Sequence, residues 1–436
     1  MTMHPAGDPA SALAPTGTIS TGRPATGEPP ASPPPGKALL PSILVNALAL
    51  FATYGGLIVV LLPSQLYVLD PAHKVDNLAI VTTVSFVFTL FAQPIVGALS
   101  DRTRSRFGRR APWMVSGALI GALFLFGLGA LKSLFWIAVF WAVIQVALNA
   151  LQGPLSAITA DRFPRNRRGG ASAMFGIGTQ VGITAGVMLA GYLATTVGIG
   201  YTAFGIVVVA ATLLFVLANR DWSSKHASVE PWSWKAFLSG FWIDPRRNPD
   251  FFWAFTARFL LILGYFVVSA YQLYILTDYI KLSLGDAQKA VGTLALVALV
   301  PTLVAIVVSG WWSDRAGRRK VFIYAASAVM VVSLIFPLVM PTLTGMIVMS
   351  VLNGIGFGLY MSCDAALMTE VLPNAGQDAG KDLGILNVAT NIPQALSAVI
   401  AATIIHSFGG YPSLFVFGMV FVVVAALALI PIKSVR

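Results

Sequence analysis

"GALSDRTRSRFGRRAPW", residues 97–113, places five arginines and one aspartate between two long apolar runs. The surrounding chain is 57% hydrophobic and only 10% charged, with a mean hydropathy of +0.80. A soluble domain carries about a quarter charged residues, so this chain lacks the polar surface of one. Its apolar runs reach the roughly 20 residues that a helix needs to cross a bilayer. The charged stretch is therefore a loop between two crossing helices.

Working outward from that loop, spans are predicted near 39–62, 77–100, 111–131, 134–158, 172–195, 200–218, 251–276, 286–311, 320–341, 343–365, 382–405 and 411–431. The expected fold is an all-α integral membrane protein of twelve transmembrane helices. Residues 38–218 form a six-helix N-terminal half, 219–250 a cytoplasmic central loop and 251–436 a six-helix C-terminal half. Residues 1–37, rich in Pro, Ala, Gly, Ser and Thr, read as a disordered cytoplasmic tail. They lack the basic start and short apolar core of a signal peptide.

Charge sets the expected orientation. With both termini in the cytoplasm, 21 of the 28 Lys and Arg fall in cytoplasmic loops and the C-terminal tail. The outer loops hold only Lys74, Lys132, Lys281 and Lys289. The net charge of +11 is then a topology signal and not a nucleic-acid surface. A multi-pass protein of the plasma membrane is expected. In the central loop, "EPWSWKAFLSGFW" (230–242) mixes aromatic and basic residues as a helix resting on the membrane does. The single cysteine, Cys363, excludes an intrachain disulfide, and the four histidines form no metal-ligand pattern, so no metal or cofactor is expected.

The opening stretch has a second copy. "GWWSDRAGRR" (310–319) matches Gly97 with Gly310, Asp101 with Asp314, and Gly108-Arg109-Arg110 with Gly317-Arg318-Arg319. "TADRFP" (159–164) likewise matches "MTEVLP" (368–373). Gly108 to Gly317, Asp161 to Glu370 and Pro164 to Pro373 are all separated by 209 residues. The two halves are thus pseudo-symmetric, a repeat typical of secondary transporters that bind solute near the midplane.

These loops resemble the loop 2–3 signature of the major facilitator superfamily and its second-half copy. The elongated "SDRTRSRFGRRAPW", with "GKDLGILNVATNIPQAL" at 380–396, is more similar to the sucrose-transporter and glycoside–pentoside–hexuronide branches than to drug exporters. The resemblance implies a conformational latch. Its first copy would be Gly97, Asp101, Arg102, Gly108, Arg109 and Arg110 with Asp161. Its second would be Gly310, Asp314, Arg315, Gly317, Arg318 and Arg319 with Glu370. Asp101 would hold the cytoplasmic side to span 11 when the carrier faces outward. A small residue at 97 and 108 would let backbones approach closely.

Polar side chains inside spans suggest a cavity or a helix contact. Gln145, Asn149 and Gln152 share one face of span 4, and Asn387, Asn391 and Gln394 one face of span 11. Amides both donate and accept, which suits an uncharged polyhydroxylated ligand. The competing reading is hydrogen bonding between helices. Span 7 presents Arg258, Tyr265, Ser269 and Gln272. Arg258 either snorkels, binds an anionic substrate or meets a carboxylate. Asn46, Tyr54, Gln180, Asn353 and Tyr360 are further candidates. The glycine run Gly176, Gly178, Gly182 and Gly186 reads as close helix packing.

The function that emerges is a monomeric secondary transporter of a small-molecule substrate in the lipid bilayer, a sugar or glycoside being the favoured class. The alternative is an exporter of drugs or metabolites, whose mark would be an aromatic cavity. The resemblance implies a coupling proton or sodium ion. No acidic residue is expected at a span centre, Asp364 included, so facilitated diffusion stays open. The chain shows neither a nucleophile–base motif nor a phosphate-binding GxxxxGK[ST] loop, which argues against an enzyme or an ATP-driven pump.

Overall fold

The computed structural model describes residues 36–164, 167–225, 246, 248–371 and 379–432, with the side chains of 93, 94, 160, 195, 314, 365, 369, 370 and 379–388 outside that description. The expected tail therefore lies almost wholly outside the described residues, as do the stretch 230–242 and the side chains of Asp314, Glu370 and Asn387.

The chain folds into α1 (Leu39–Leu69), α2 (Lys74–Arg102), α3 (Ala111–Leu128), α4 (Leu134–Arg162), α5 (Arg168–Leu193) and α6 (Val197–Ala218), then α7 (Pro249–Ser269), α8 (Leu284–Ala316), α9 (Arg319–Val339), α10 (Leu343–Val371), α11 (Ala379–Ser407) and α12 (Tyr411–Leu427). Helix is the form in which an apolar segment satisfies its own backbone in lipid. Ten of the twelve are long and apolar enough to cross a membrane, and α12 is apolar but shorter. The count is the expected one; the ends differ. Helices α4, α8 and α10 run several residues past the predicted spans, because a helix continues into polar residues that hydropathy does not register. Helix α7 instead stops at Ser269 and is extended by a turn at Gln272–Tyr274 and a π turn at Ile275–Tyr279. Helix α1 carries its own π turn at Leu57–Leu61.

Packing repeats between the halves. In the first, α1 packs on α5 and α6, α4 on α2 and α3, and α3 on α6. In the second, α7 packs on α11 and α12, α10 on α8 and α9, and α9 on α12. Two seams join the halves, α2 on α11 and α5 on α8, and these are the same seam seen from either side of the pseudo-two-fold. Helices α3, α6, α9 and α12 stand behind the seams and expose apolar residues such as Leu123, Leu214, Val339 and Leu427, as a lipid-facing surface does. Helices α1, α4, α7 and α10 take part in neither seam. Close approach of α5 to α1 depends on glycine: a Cβ at Gly182 would lie 2.7 Å from the Leu48 carbonyl oxygen, and one at Gly186 would run into Ala52.

The bundle has a basic end, which holds residues 103–110, and a far end opposite. The hydrogen bonds described between the halves all lie at the far end. They join Lys74 to Asp278, His406 to Asp76, Gln288 to Ser64, Tyr274 to the Pro63 carbonyl and Tyr271 to the Val75 carbonyl. At the basic end, the ion pairs of Asp101, Arg109, Arg110 and Asp161 lie within the first half. The two halves are bonded to each other at the far end.

Candidate functional site

At the basic end the α2–α3 loop folds onto its own half. Arg110 donates to Asp161 from Nε at 3.0 Å and Nη2 at 2.9 Å, and its Nη2 lies 2.5 Å from Asp101 Oδ1. Arg109 Nη2 reaches Asp161 at 3.0 Å. Arg110 is buried and also donates to Ser100 Oγ, so one guanidinium joins the end of α2 to the end of α4. Asp101 is 54% exposed on its open side. Gly108 sits at φ +84°, a left-handed conformation that glycine adopts at no steric cost, and a Cβ there would meet the Asp221 side chain at 2.6 Å. Gly97 does not serve close approach in this state, because a Cβ there meets nothing within 4 Å. Gly317 ends α8 at φ +59°, a left-handed helix cap, and Gly310 lies near only the Ser362 hydroxyl. Arg315 stacks over Trp311 at 4.1 Å, Arg318 caps the start of α9, and Arg102 and Arg319 close α2 and open α9.

Sequence reasoning missed Asp221. Burial pushes its carboxyl above the ordinary Asp range, while Arg162 and Arg109 pull it back. Burial also pulls Arg162 below its ordinary value. The neighbouring Ser224 hydroxyl donates to the Thr103 carbonyl and its backbone amide to the Ser105 carbonyl. The start of the central loop therefore clamps the α2–α3 loop. A single polar residue in a loop gave no signal of this, because the contact spans more than a hundred residues of chain.

The polar candidates sort by surroundings. Gln145 and Asn149 are buried, and the Asn149 amide donates to the Gln145 backbone carbonyl one turn back in the same helix. Asn46 is fully buried and its amide nitrogen reaches the Ala211 carbonyl of α6 at 3.4 Å. Gln152, Gln180, Gln272, Asn391 and Gln394 are partly exposed. Tyr54 lies against Phe51, which packs edge-on to Phe175 of α5. In the other half, Tyr265 stacks on Phe357 with centroids 4.3 Å apart, and Phe357 lies next to Tyr360. Among the described residues, the buried polar atoms Asn46 Oδ1, Tyr54 OH and Asn353 Oδ1 have no hydrogen-bond partner.

Arg258 does not snorkel. Its Nη1 donates to Asp364 Oδ2 at 2.8 Å, and Nε and Nη2 donate to Thr390 Oγ1 at 3.2 and 2.9 Å. The Asp364 side chain is 7% exposed and that of Arg258 15%. Asp364 lies four residues inside the end of the apolar segment Leu343–Met368, near the span end where the sequence puts it, and its carboxylate is buried there.

Residues 42–278 and 265–435 each match the sequence pattern of the Major Facilitator Superfamily. The chain belongs to this superfamily. As a member of it, the chain is a multi-pass membrane transporter and not an enzyme. It is 24% identical over 368 residues, covering 82% of this chain and 84% of the relative, to "Multidrug resistance protein MdtG" of Dickeya zeae. It is 31% identical over 120 residues, 22% of this chain and 23% of the relative, to "Sucrose transport protein SUC4" of Arabidopsis thaliana. Among solved superfamily structures, a point mutant of the nucleoside transporter NupG superposes with a TM-score of 0.72 at 13% identity, over 90% of this chain and 99% of that one.

Proposed function

We propose that this superfamily transporter carries a small, uncharged organic solute across the plasma membrane by alternating access, with both termini in the cytoplasm and as a monomer. The structure then corresponds to the inward-facing state. One observation supports this most directly. The far end is bonded across the halves, while the basic-end cluster of Asp101, Arg110 and Asp161 is bonded within one half. Alternation would reverse that pattern: Asp101 would turn to α11 as the far end parts.

For the solute, a sugar or glycoside is the reading that follows from the sucrose-transporter resemblance, and aromatic faces beside unpartnered hydroxyl and amide atoms suit it. A second reading, export of drugs or metabolites, is favoured by the aromatic groups on α1, α5, α7 and α10 and by the burial of Gln145 and Asn149. Uptake of labelled sucrose and maltose into proteoliposomes tests the first. Saturable uptake supports it. No uptake of either sugar, with efflux of a cationic dye, would transfer the assignment to the exporter.

A further inference from the structure

The repeat supplies a comparison within one chain. Helices α4 and α10 have the same length and are offset by 209 residues. At the position equivalent to Asp364, α4 carries Leu155, fully buried. Tyr360 and Asn353 correspond to Leu151 and Ile144, both fully buried as well. Helix α1, the counterpart of α7, holds no Asp, Glu, Lys, Arg or His between Leu39 and Leu69. The scaffold therefore packs in one half without the ion pair that the other half contains. A buried ion pair is often no better for stability than apolar residues of the same volume, and this protein holds that apolar version in its first half. Stability of the fold does not account for the pair.

We infer that Asp364 is the proton-binding site of this carrier, with Arg258 as its counter-charge and Thr390 as the guanidinium's second acceptor. The inference rests on the transporter reading above, but not on the identity of the solute. Asp364 is a buried ionisable group within the apolar segment Leu343–Met368. Among the described residues, the charged and ionisable groups that act on it are Arg258 from α7 and Tyr360 from its own helix. Helix α9 contributes apolar Ile323, Ala326 and Met330 to the cluster around it. The Tyr360 hydroxyl, one turn back, is buried beside the Asp364 carboxyl.

The chemistry balances simply. A proton from water adds to the Asp364 carboxylate, the Arg258 N–H···O⁻ bond is lost, and the pair's charge changes from zero to plus one. Arg258 stays protonated, because guanidinium does not release its proton in proteins. Its freed donors then need a new acceptor, which a solute oxygen supplies, and this links proton binding to solute binding. Sodium does not fit the same place. It needs a shell of several oxygens, whereas the nearest donor to Asp364 is itself a cation.

The test needs no solute. Infrared difference spectra of the purified full-length protein between acid and alkaline pH report the carbonyl stretch of a buried protonated carboxylic acid. Wild type is expected to show such a band, Asp364→Asn to lose it, Asp364→Glu to shift its frequency, and Asp278→Asn to keep it. A folded Asp364→Asn variant with the wild-type band would overturn the inference, as would its absence from wild type. Where Asp364→Asn does not fold, an unshifted band in Asp364→Glu overturns it. A negative result leaves the transporter reading intact, since a facilitator of the same fold shows no such band.

Discussion

Lys74 Nζ lies 2.7 Å from Asp278 Oδ1, and the two residues belong to opposite halves of the carrier. Around this pair, Tyr411 donates to Asp278 Oδ2 at 2.6 Å and Thr277 to Oδ1 at 2.9 Å. The Lys74 ammonium also sits 4.1 Å above the Tyr67 ring and 5.3 Å from that of Tyr274. Those two tyrosines come from "QLYVL" (65–69) and "QLYIL" (272–276), a repeat of the two halves that meets at the far end. A cation shared by a carboxylate and two aromatic faces is a lock that must break when the far end opens.

Breaking that lock should shift the conformational balance. Removing one partner of a buried ion pair costs about 3–5 kcal/mol, which Lys74→Ala would charge to the far-end-closed state alone. Spin labels placed at the far ends of the two halves are expected to show longer distances in Lys74→Ala than in wild type. Unchanged distance distributions would mean that the remaining seam contacts suffice.

The basic-end loop should be sensitive at Gly108 and tolerant at Gly97. Gly108→Ala puts a Cβ into a left-handed residue, about 1–2 kcal/mol of backbone cost, before its clash with Asp221. Reduced thermal stability and transport are expected there, with near wild-type behaviour for Gly97→Ala in the closed-far-end state. Equal effects of the two substitutions would refute this account of the loop.

Asp101→Asn is expected to cut transport several-fold while membrane insertion and melting temperature hold. Asp101 is half exposed and contributes little to stability by its pairing with Arg110. Arg110→Met, by contrast, leaves Asp161 to Arg109 alone and should lower stability as well. Initial rates and thermal melts on the two variants separate these outcomes.

Asn149→Ala should leave apparent solute affinity unchanged and lower stability by about 1 kcal/mol, since its amide is bonded to the Gln145 carbonyl. Tyr265→Ala, which removes the stack on Phe357, should change affinity instead. Uptake kinetics for both variants decide the matter; an affinity change in Asn149→Ala would return the amide to the binding surface.

Asp221 predicts a pH dependence. Its folded-state pKa is raised by burial, so the neutral carboxyl is the form that favours folding. That contribution is fully present below the unfolded value of about 3.9 and is lost as pH rises through the higher folded value. Wild type should therefore gain stability relative to Asp221→Asn as pH falls through this window. Parallel melting curves across it would show that the carboxyl does not titrate there.

Membrane insertion, the twelve helices and the two-half repeat were legible in the amino-acid sequence because they depend on local properties: apolar run length, the placement of Lys and Arg, and landmarks 209 residues apart. The sequence also marked Arg258, Asp161 and Arg110 as chemically unusual. It could not say what each one meets. Asp364 lies near a span end, as the sequence suggests, but the local sequence does not show that it is buried against Arg258. Periodicity puts Gln145, Asn149 and Gln152 on one face of a helix but does not show what that face meets. The partners of Arg258, of Lys74 and of Gly108 lie 106, 204 and 113 residues away in the chain, so only the packed bundle could bring them together. Local chemistry decides which segments enter the membrane; which of their polar groups pair, and in which state, is decided by helix packing.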